Sequence, residues 1–279
     1  MIPAAFDYDV AESVDHAIAL LGEREDAKLL AGGHSLLPAM KLRLARPALL
    51  VDVGRLADLS YVREDDGRIA IGALTRHKDV ASAALLREHC PIVSHTAGQV
   101  GDPQVRHRGT IGGSLAHGDP ASDLPTVILA LEAELVIRGS AGERTVPAAE
   151  FFTGVFQTAV GPEEMLVEVR VPKLGETTGW SYTKMSRRAQ DWATVAVAAV
   201  VERSNGSIGN ASIALTNMGA TPLRAAAAEA AIAGGGSIDD ASALASDGTE
   251  PSSDLAASAE FRHHLARVLT KRGLEEATG

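Results

Sequence analysis

A glycine-rich turn between two short apolar runs is the feature of this sequence that most restricts its fold. Residues 28–31 are predicted to form a strand, residues 36–44 a helix, and residues 48–53 a second, buried strand. A strand–helix–strand crossover of this kind favours a parallel pair of strands. The sequence therefore predicts a small α/β layer at the start of the chain, with the turn AGGHS leading into its helix.

The turn AGGHS, residues 31–35, has a counterpart in TIGGS, residues 110–114. Adjacent glycines allow positive φ and let a ligand approach the backbone closely. Successive N–H groups in such turns form anion sites, which a following helix strengthens, and Ser35 can cap that helix. A diphosphate site and two ordinary turns remain open alternatives at this point. Neither motif matches G-x-G-x-x-G or G-x-x-x-x-G-K-[ST], which excludes the usual Rossmann and P-loop assignments.

The middle of the chain is predicted to form a second unit that begins near Leu56. It mixes helices and strands: helices at residues 74–86, 92–98 and 124–131, and strands at 68–71, 134–138 and 165–171. Residues 100–125 are rich in Gly, Pro, Asp and His and are predicted to be one long irregular loop. Loops of this length in a compact domain are usually functional or disordered.

A third unit is predicted from about Gly179 to the end of the chain. Three strands are expected at residues 180–186, 193–202 and 208–216, with Asn205-Gly206 as a hairpin turn between the last two. Helices are expected at residues 223–233 and 260–273. Three strands followed by helices are typical of an α+β domain.

Composition and charge exclude several classes of protein. The chain has 279 residues, a net charge of −10 and no Lys/Arg block, which argues against a nucleic-acid or anionic-membrane surface. Its one cysteine, Cys90, cannot form a disulfide within the chain and cannot supply a cluster or a cysteine zinc site. No apolar run approaches the ~20 residues of a membrane span, and the N-terminus lacks a signal-peptide pattern. A cytoplasmic location is the simplest expectation.

Longer motifs around the two turns are more specific than the turns themselves. These motifs are AGGHSLLPAMKLRLARP followed by LVDV, DPQVRHRGTIGGSLAHGDPASDLP, and YTKMSRRAQDWATVAVA, after the opening MIPAAFDY. Together they closely resemble the FAD-binding medium subunits of the molybdenum hydroxylases, in the carbon monoxide dehydrogenase medium subunit and xanthine dehydrogenase FAD-domain family. The resemblance covers nearly the whole chain. It implies an α+β fold: a two-lobed vanillyl-alcohol-oxidase-type (PCMH) FAD-binding domain with lobes at residues 1–55 and 56–175, then an α+β C-terminal domain at 176–279 with a three-stranded antiparallel sheet and helices.

The resemblance also implies a set of FAD contacts. In that family the two glycine loops wrap the FAD pyrophosphate, Asp123 matches an acidic position on the ribityl–adenosine side, and Lys184 matches a lysine beside the isoalloxazine. No catalytic residue and no metal ligand are implied. The cofactor-binding residues carried over are Ala31, Gly32, Gly33, His34, Ser35, Leu36, Thr110, Ile111, Gly112, Gly113, Ser114, His117, Asp123, Leu166 (an apolar position near the flavin), Lys184 and Trp192 (an aromatic or mobile loop over the ring).

Simpler interpretations of these side chains remain open. Lys184 could belong to a solvated basic edge with Arg187 and Arg188, and Asp123 could merely shape a turn. His117 could be a hydrogen-bonded loop histidine. Trp192 could pack in the core beneath the C-terminal sheet.

The function that the resemblance implies is an electron relay. The partners would be an iron–sulfur small subunit and a molybdopterin large subunit, in a dimer of heterotrimers, with NAD, a quinone or oxygen as the acceptor. Two alternatives remain: a self-contained flavin-dependent oxidoreductase of the same superfold, and a non-redox nucleotide-binding assembly subunit. The sequence has no nucleophile motif such as G-x-S-x-G, which fits a flavin that carries the chemistry.

Overall fold

Three larger β-sheets follow one another along the chain, and a two-stranded ribbon accompanies the second. The computed structural model describes residues 1–204 and 207–279. The predicted hairpin turn at Asn205-Gly206 lies outside the described residues. No helix in these two ranges is long and apolar enough to cross a membrane.

The first sheet is parallel, with the strand order β1-β3-β2. The predicted parallel pairing across the AGGHS crossover is confirmed, because Leu30 pairs with Asp52 in a parallel register. Strand β1 was not predicted, because its side chains are largely exposed and give no apolar pattern. The elements of this unit are β1 (Asp7–Val10), α1 (Val14–Glu23), β2 (Ala27–Leu30), α2 (Leu36–Lys41) and β3 (Leu49–Asp52).

The second sheet has five antiparallel strands in the order β4-β5-β10-β6-β7. A short 3-10 helix, Ala57–Leu59, leads into it. The strands are β4 (Val62–Asp65), β5 (Arg68–Gly72), β6 (Glu134–Gly139), β7 (Gly142–Pro147) and β10 (Met165–Pro172), with β8 (Phe152–Gly154) and β9 (Gln157–Thr158) as the ribbon. The helices of this unit are α3 (His77–Ser82), α4 (Ala84–His89), α5 (Pro91–Gln99), α6 (Pro103–Arg106), α7 (Ile111–His117), α8 (Asp123–Ala130) and α9 (Ala148–Phe151).

The prediction of one long loop over residues 100–125 was wrong. The segment contains α6 and α7 and the start of α8. Asp102 caps the amide of Val105 to start α6, and the Thr110 hydroxyl accepts from the amide of Gly113 to start α7. Gly118 ends α7 in the left-handed region, with φ +63. Local caps therefore fold a Gly/Pro-rich segment into short helices that apolar periodicity did not reveal.

The predicted helix over residues 74–86 was also wrong in its extent. Two short helices, α3 and α4, occupy this region, and they are separated at Ala83, whose φ −62 and ψ 117 are extended. An extended residue breaks the hydrogen-bond ladder of a helix, although the apolar spacing continues across it.

The C-terminal unit is an antiparallel sheet of four strands, not three, backed by helices. The added strand has only two residues, which is too short to leave an alternating pattern in the sequence. A Cβ on Gly179 would meet the carbonyl of Ala277, so the last helix lies directly on the first strand of this sheet. The elements are β11 (Thr178–Met185), β12 (Val195–Ser204), β13 (Ser207–Thr216), β14 (Leu223–Arg224), α10 (Ala226–Ala233), α11 (Ile238–Ala243) and α12 (Ala259–Thr278).

The C-terminal sheet packs against α8 of the second unit through polar as well as apolar contacts. The hydroxyls of Thr126 and Thr216 lie 2.6 Å apart in a buried position, and Ser212 donates to the carbonyl of Ala130 at 2.6 Å. The amide of Asn217 donates to the carbonyl of Pro120 at 2.8 Å. These contacts hold the C-terminal sheet against the second unit.

Candidate functional site

A cavity of about 450 Å³ opens where the two glycine motifs meet. Its walls come from the AGGHS turn, from the start of α7, from Leu166 near the start of β10, and from Trp192 in the loop between β11 and β12. All three units therefore contribute to it. Cavities of this size at the junction of structural units are the usual places for cofactors.

The AGGHS turn presents free backbone donors to this cavity. Gly33 has φ +76, a conformation that a side chain rarely adopts, so the turn depends on glycine here. Within the part of the chain that the structure describes, the amides of Gly32, Gly33, His34 and Ser35 have no hydrogen-bond partner. Ser35 stands at the start of α2 but its side chain makes no capping bond. The turn is a set of unused N–H groups, as an anion site requires.

The TIGGS motif has a different backbone. It forms the first turn of α7, and its amides are already bonded: Ile111 to the Thr75 carbonyl at 3.0 Å, Gly112 to the Ala73 carbonyl at 2.8 Å, and Gly113 to the Thr110 hydroxyl at 3.2 Å. The Ser114 amide bonds the Thr110 carbonyl at 3.0 Å. This motif therefore lines the cavity with hydrogen-bonded helix backbone and the Ser114 hydroxyl, and not with free amides.

Each motif has a glycine that lies so close to neighbouring backbone that a side chain would not fit. A Cβ on Gly32 would lie 2.7 Å from the Cα of Gly109, and a Cβ on Gly112 would lie 2.7 Å from the carbonyl oxygen of Ala73. Both contacts are with backbone, which cannot move aside without displacing the chain. Gly32 therefore serves the contact between the two lobes, and Gly112 serves a close contact within the second lobe.

Asp123, Tyr182 and Lys184 form a buried cluster beside the cavity. The Tyr182 hydroxyl donates to Asp123 Oδ1 at 2.6 Å, and the Lys184 ammonium lies 3.0 Å from the same carboxylate. The side chains of Lys184 and Asp123 are only 6% and 4% exposed, so Lys184 is not part of a solvated edge, whereas Arg187 and Arg188 are exposed. Burial raises the pKa of Asp123, while the ammonium and the hydroxyl oppose that rise. Burial also raises the pKa of Tyr182 well above its ordinary value.

The other predicted contacts differ in how they face the cavity. Leu166 is buried and lines it, and His34 lines it with an exposed side chain. His117 lines it and packs on Phe156 with ring centroids 5.0 Å apart, and burial lowers its pKa. The side chain of Ile111 lies in the apolar core instead.

Trp192 stands at the mouth of the cavity. It is 54% exposed, so the alternative of core packing was wrong. The root of its loop is held firmly, because the fully buried Arg262 donates to the Thr194 carbonyl and the Asn217 side chain donates to the Ala193 carbonyl at 2.9 Å. The loop is therefore anchored at its C-terminal end, and it holds the exposed Trp192 indole over the cleft.

Several residues in or beside the cavity were missed in the sequence. Tyr182 lies two residues before Lys184 on β11, and the period of 2 along a strand would have placed both on one face. Gln190 and Asp191 flank Trp192 and share its loop. His77 also lines the cavity, and no sequence signal distinguishes it from a surface histidine.

The two lobes, the free amides of the glycine turn and the cleft between them define a PCMH-type FAD-binding protein with an added α+β domain. Residues 4–174 match the family described as the FAD binding domain in molybdopterin dehydrogenase, and residues 180–277 match the CO dehydrogenase flavoprotein C-terminal domain. The chain belongs to the family of FAD-binding medium subunits of molybdenum hydroxylases.

Individual relatives agree with this assignment over their whole length. The chain is 42% identical to the carbon monoxide dehydrogenase medium chain of Hydrogenophaga pseudoflava, covering 99% of this chain and 98% of the relative. It is 40% identical to the 6-hydroxypseudooxynicotine dehydrogenase complex subunit alpha of Paenarthrobacter nicotinovorans, covering 99% and 96%. A solved carbon monoxide dehydrogenase from H. pseudoflava superposes with a TM-score of 0.97 at 44% identity, covering 99% and 98%. The chain is thus an FAD-dependent oxidoreductase subunit.

The residues present fit this cofactor. FAD carries a pyrophosphate, which accepts hydrogen bonds only, and the AGGHS turn offers unpartnered N–H groups at the cavity wall. The side chain of Leu166 offers apolar surface to a ring system, and the indole of Trp192 offers a flat aromatic face.

Proposed function

We propose that this chain is the electron-transfer subunit of a molybdenum-containing hydroxylase or dehydrogenase. Its FAD would take electrons from the [2Fe–2S] clusters of a small partner subunit and pass them in pairs to an external acceptor. A molybdopterin large subunit would oxidise the substrate, and the assembly would be a dimer of heterotrimers in the cytoplasm. The relatives are named for different substrates, which fits a substrate bound by another subunit.

The observation that carries this proposal is a flavin cleft in a chain that cannot hold an iron–sulfur cluster. A [2Fe–2S] cluster held by cysteines needs four thiolates, and the chain has one cysteine. That cysteine, Cys90, is fully buried, and burial raises its pKa to about 12, so it is a packing residue. Electrons that reach the flavin by way of clusters must therefore come from another chain.

Reduction of the flavin in the isolated chain and in the complex tests the relay. The purified chain is expected to be yellow and to stay oxidised when candidate organic substrates are added anaerobically. The same substrates should bleach the flavin absorbance when the iron–sulfur and molybdenum subunits are present. Bleaching of the chain alone would instead identify a self-contained oxidoreductase, and a colourless chain that fails to take up FAD would identify an assembly subunit.

We further propose that Asp123 and Lys184 act on the cofactor as a pair. Each charge has a counter-charge 3.0 Å away, so the field of the Lys184 ammonium at the flavin is weaker than that of a free cation. The pair also joins α8 of the FAD-binding region to β11 of the C-terminal sheet, which fixes the two around the cleft.

Removing one member of this pair tests its structural weight. Lys184→Met leaves a buried carboxylate without its counter-charge and is expected to lower the free energy of unfolding by about 3–5 kcal/mol. The double variant Asp123→Asn with Lys184→Met should recover much of that loss, measured by urea unfolding with and without FAD. Equal stability of Lys184→Met and the unaltered chain would show that the pair is not coupled as proposed.

A further inference from the structure

His77 packs against Gly109, the residue that contacts the AGGHS turn at Gly32. Its amide donates to the carbonyl of Gly109 at 2.9 Å, and a Cβ on Gly109 would lie 2.9 Å from His77 Cδ2 and 3.2 Å from Nε2. Gly109 in turn is the residue against which Gly32 packs. The imidazole therefore lies on the cavity wall next to the free amides of the AGGHS turn.

The two ring nitrogens of His77 have different surroundings. The side chain is 3% exposed, and Nδ1 is enclosed without a hydrogen-bond partner among the described residues. Nε2 is not enclosed in this way and makes no hydrogen bond to the described part of the chain, so it is the nitrogen that reaches the cavity. No hydrogen bond within the described part of the chain accounts for an imidazole that is buried here with one nitrogen facing the cleft.

The position of the ring proton follows from this asymmetry. An enclosed N–H without an acceptor is costlier than an enclosed bare nitrogen, because orphaned donors are rarer than under-satisfied acceptors in folded proteins. The neutral ring is therefore protonated at Nε2, which faces the cavity. The ring stays neutral near pH 7, because burial above all, and then the neighbouring Arg106 and His34, lower the pKa of His77 to about 4.

Arg106 is not among the residues that line the cavity. Its Nη1 donates to the carbonyls of Val100 and Gly101, both at 3.1 Å, which holds the guanidinium against the loop before α6. His77 is left as a side-chain donor that faces the cavity beside the glycine contact.

We propose that His77 binds the cofactor, with Nε2–H donating a hydrogen bond to a pyrophosphate oxygen of FAD. The proposal rests on the placement of the pyrophosphate at the AGGHS turn. An oxygen there accepts from the turn amides on one side and from the imidazole on the other. A neutral donor adds a directed bond without leaving a buried charge when the cofactor is released.

Two substitutions separate a binding role from a structural one. His77→Leu removes the donor, and His77→Gln keeps an N–H near the position of Nε2. We expect His77→Leu to raise the Kd for FAD about tenfold or more, the factor that a hydrogen bond to a charged group contributes. His77→Gln should stay within a few-fold of the unaltered chain. The FAD-free His77→Leu chain should be at least as stable to heat as the unaltered one, because an enclosed, unpartnered nitrogen is gone.

The matched control is Thr96→Val. Thr96 is fully buried in α5, and its hydroxyl is likewise enclosed without a partner in the described part of the chain, but it does not line the cavity. FAD affinity should be unchanged in this variant. Unaltered FAD affinity in His77→Leu would overturn the proposal. It would also be overturned if His77→Leu and His77→Gln lost FAD affinity to the same extent and both lost stability in the FAD-free state. If the unaltered chain fails to bind FAD, the proposed function falls before His77 is considered.

A measurement on the unaltered chain covers the case in which His77→Leu fails to fold. In ¹⁵N-histidine spectra of the full chain, His77 should show the Nε2–H tautomer, and its Nε2 signal should shift when FAD is added. The exposed His264, on α12, should not respond. A His77 signal that is indifferent to FAD, or an Nδ1–H tautomer, would contradict the proposal.

Discussion

The two glycine motifs have nearly the same letters but do different work. AGGHS is an open turn with Gly33 at φ +76 and with amides that have no partner among the described residues. TIGGS is the first turn of a helix whose amides are bonded to Ala73, Thr75 and Thr110. The AGGHS amides are free to donate to a ligand, whereas the TIGGS amides donate within the protein and stabilise the cavity wall. A glycine pair therefore does not define an anion site until the partners of its N–H groups are known.

The difference also separates the reasons for glycine at each position. Gly32 is required by a backbone contact with the other lobe, Gly112 by a backbone contact within its own lobe, Gly33 by its φ, and Gly113 by none of these. Substitutions at these positions should therefore rank in a definite order of stability loss, and removal of FAD should affect the two motifs unequally.

The largest loss of stability is expected for Gly112→Ala and Gly32→Ala. The new methyl group in each would lie within 3 Å of backbone atoms, and overpacking of this kind costs about 1–3 kcal/mol. The melting temperature of the FAD-free chain should fall by about 2–4 °C per kcal/mol. Unchanged melting temperatures would mean that the backbone at these two contacts can shift without cost, and the close approach would then not explain the glycines.

Gly33→Ala should destabilise the FAD-free chain by about 1–2 kcal/mol, because alanine is strained in the left-handed region. Gly67→Ala is a control matched in backbone conformation, with φ +75, and it lies outside the cavity. A Cβ on Gly67 would meet nothing within 4 Å, whereas one on Gly33 would meet the flexible end of the Leu37 side chain at 2.9 Å. Both variants should lose similar stability by urea unfolding, but only Gly33→Ala should lose FAD affinity. Equal FAD affinity in Gly33→Ala and Gly67→Ala would show that the AGGHS turn is not part of the FAD-binding site.

Gly113→Ala should have the smallest effect on stability. Gly113 is an exposed helical residue whose new methyl group would meet only the Thr110 hydroxyl within 3 Å, and alanine favours a helix over glycine by about 0.5–1 kcal/mol. FAD affinity should nevertheless fall, because the methyl group enters the gap towards Ala31 at 3.9 Å. Gly98→Ala, at an exposed helical position away from the cavity, should match its stability and keep full FAD affinity.

Hydrogen exchange measures the same contrast without a substitution. Removing FAD should speed exchange of the Gly32–Ser35 amides about tenfold or more, because only the cofactor protects them, and should change the Ile111–Ser114 amides much less. Equal acceleration in the two motifs would show that both donate to the cofactor.

Much of the fold followed from local pattern. The parallel crossover around AGGHS could be predicted because two short, apolar strands flank a helix in the sequence. The helices within residues 100–125 were not, since capping by Asp102 and Thr110 sets them and periodicity does not. The residues alone left the phosphate site undecided, and the longer motifs identified the family.

The candidate site was predictable only in part for a related reason. Residues adjacent in sequence, such as Gly32 and Gly33, could be grouped directly. The contact between Asp123 and Lys184 joins positions 61 residues apart, and the enclosure of His77 depends on Gly109 from another segment. Neither leaves a trace in local sequence.

The anchored loop that carries Trp192 gives the protein an optical reporter of its own cofactor. The chain has only two tryptophans, and Trp180 is half-buried against His95 with ring centroids 5.5 Å apart. Trp192, held at its root by Arg262 and Asn217, stands where an indole can transfer excitation energy to a bound flavin. Tryptophan emission should therefore follow loading and release of FAD in real time, with no label added to the chain.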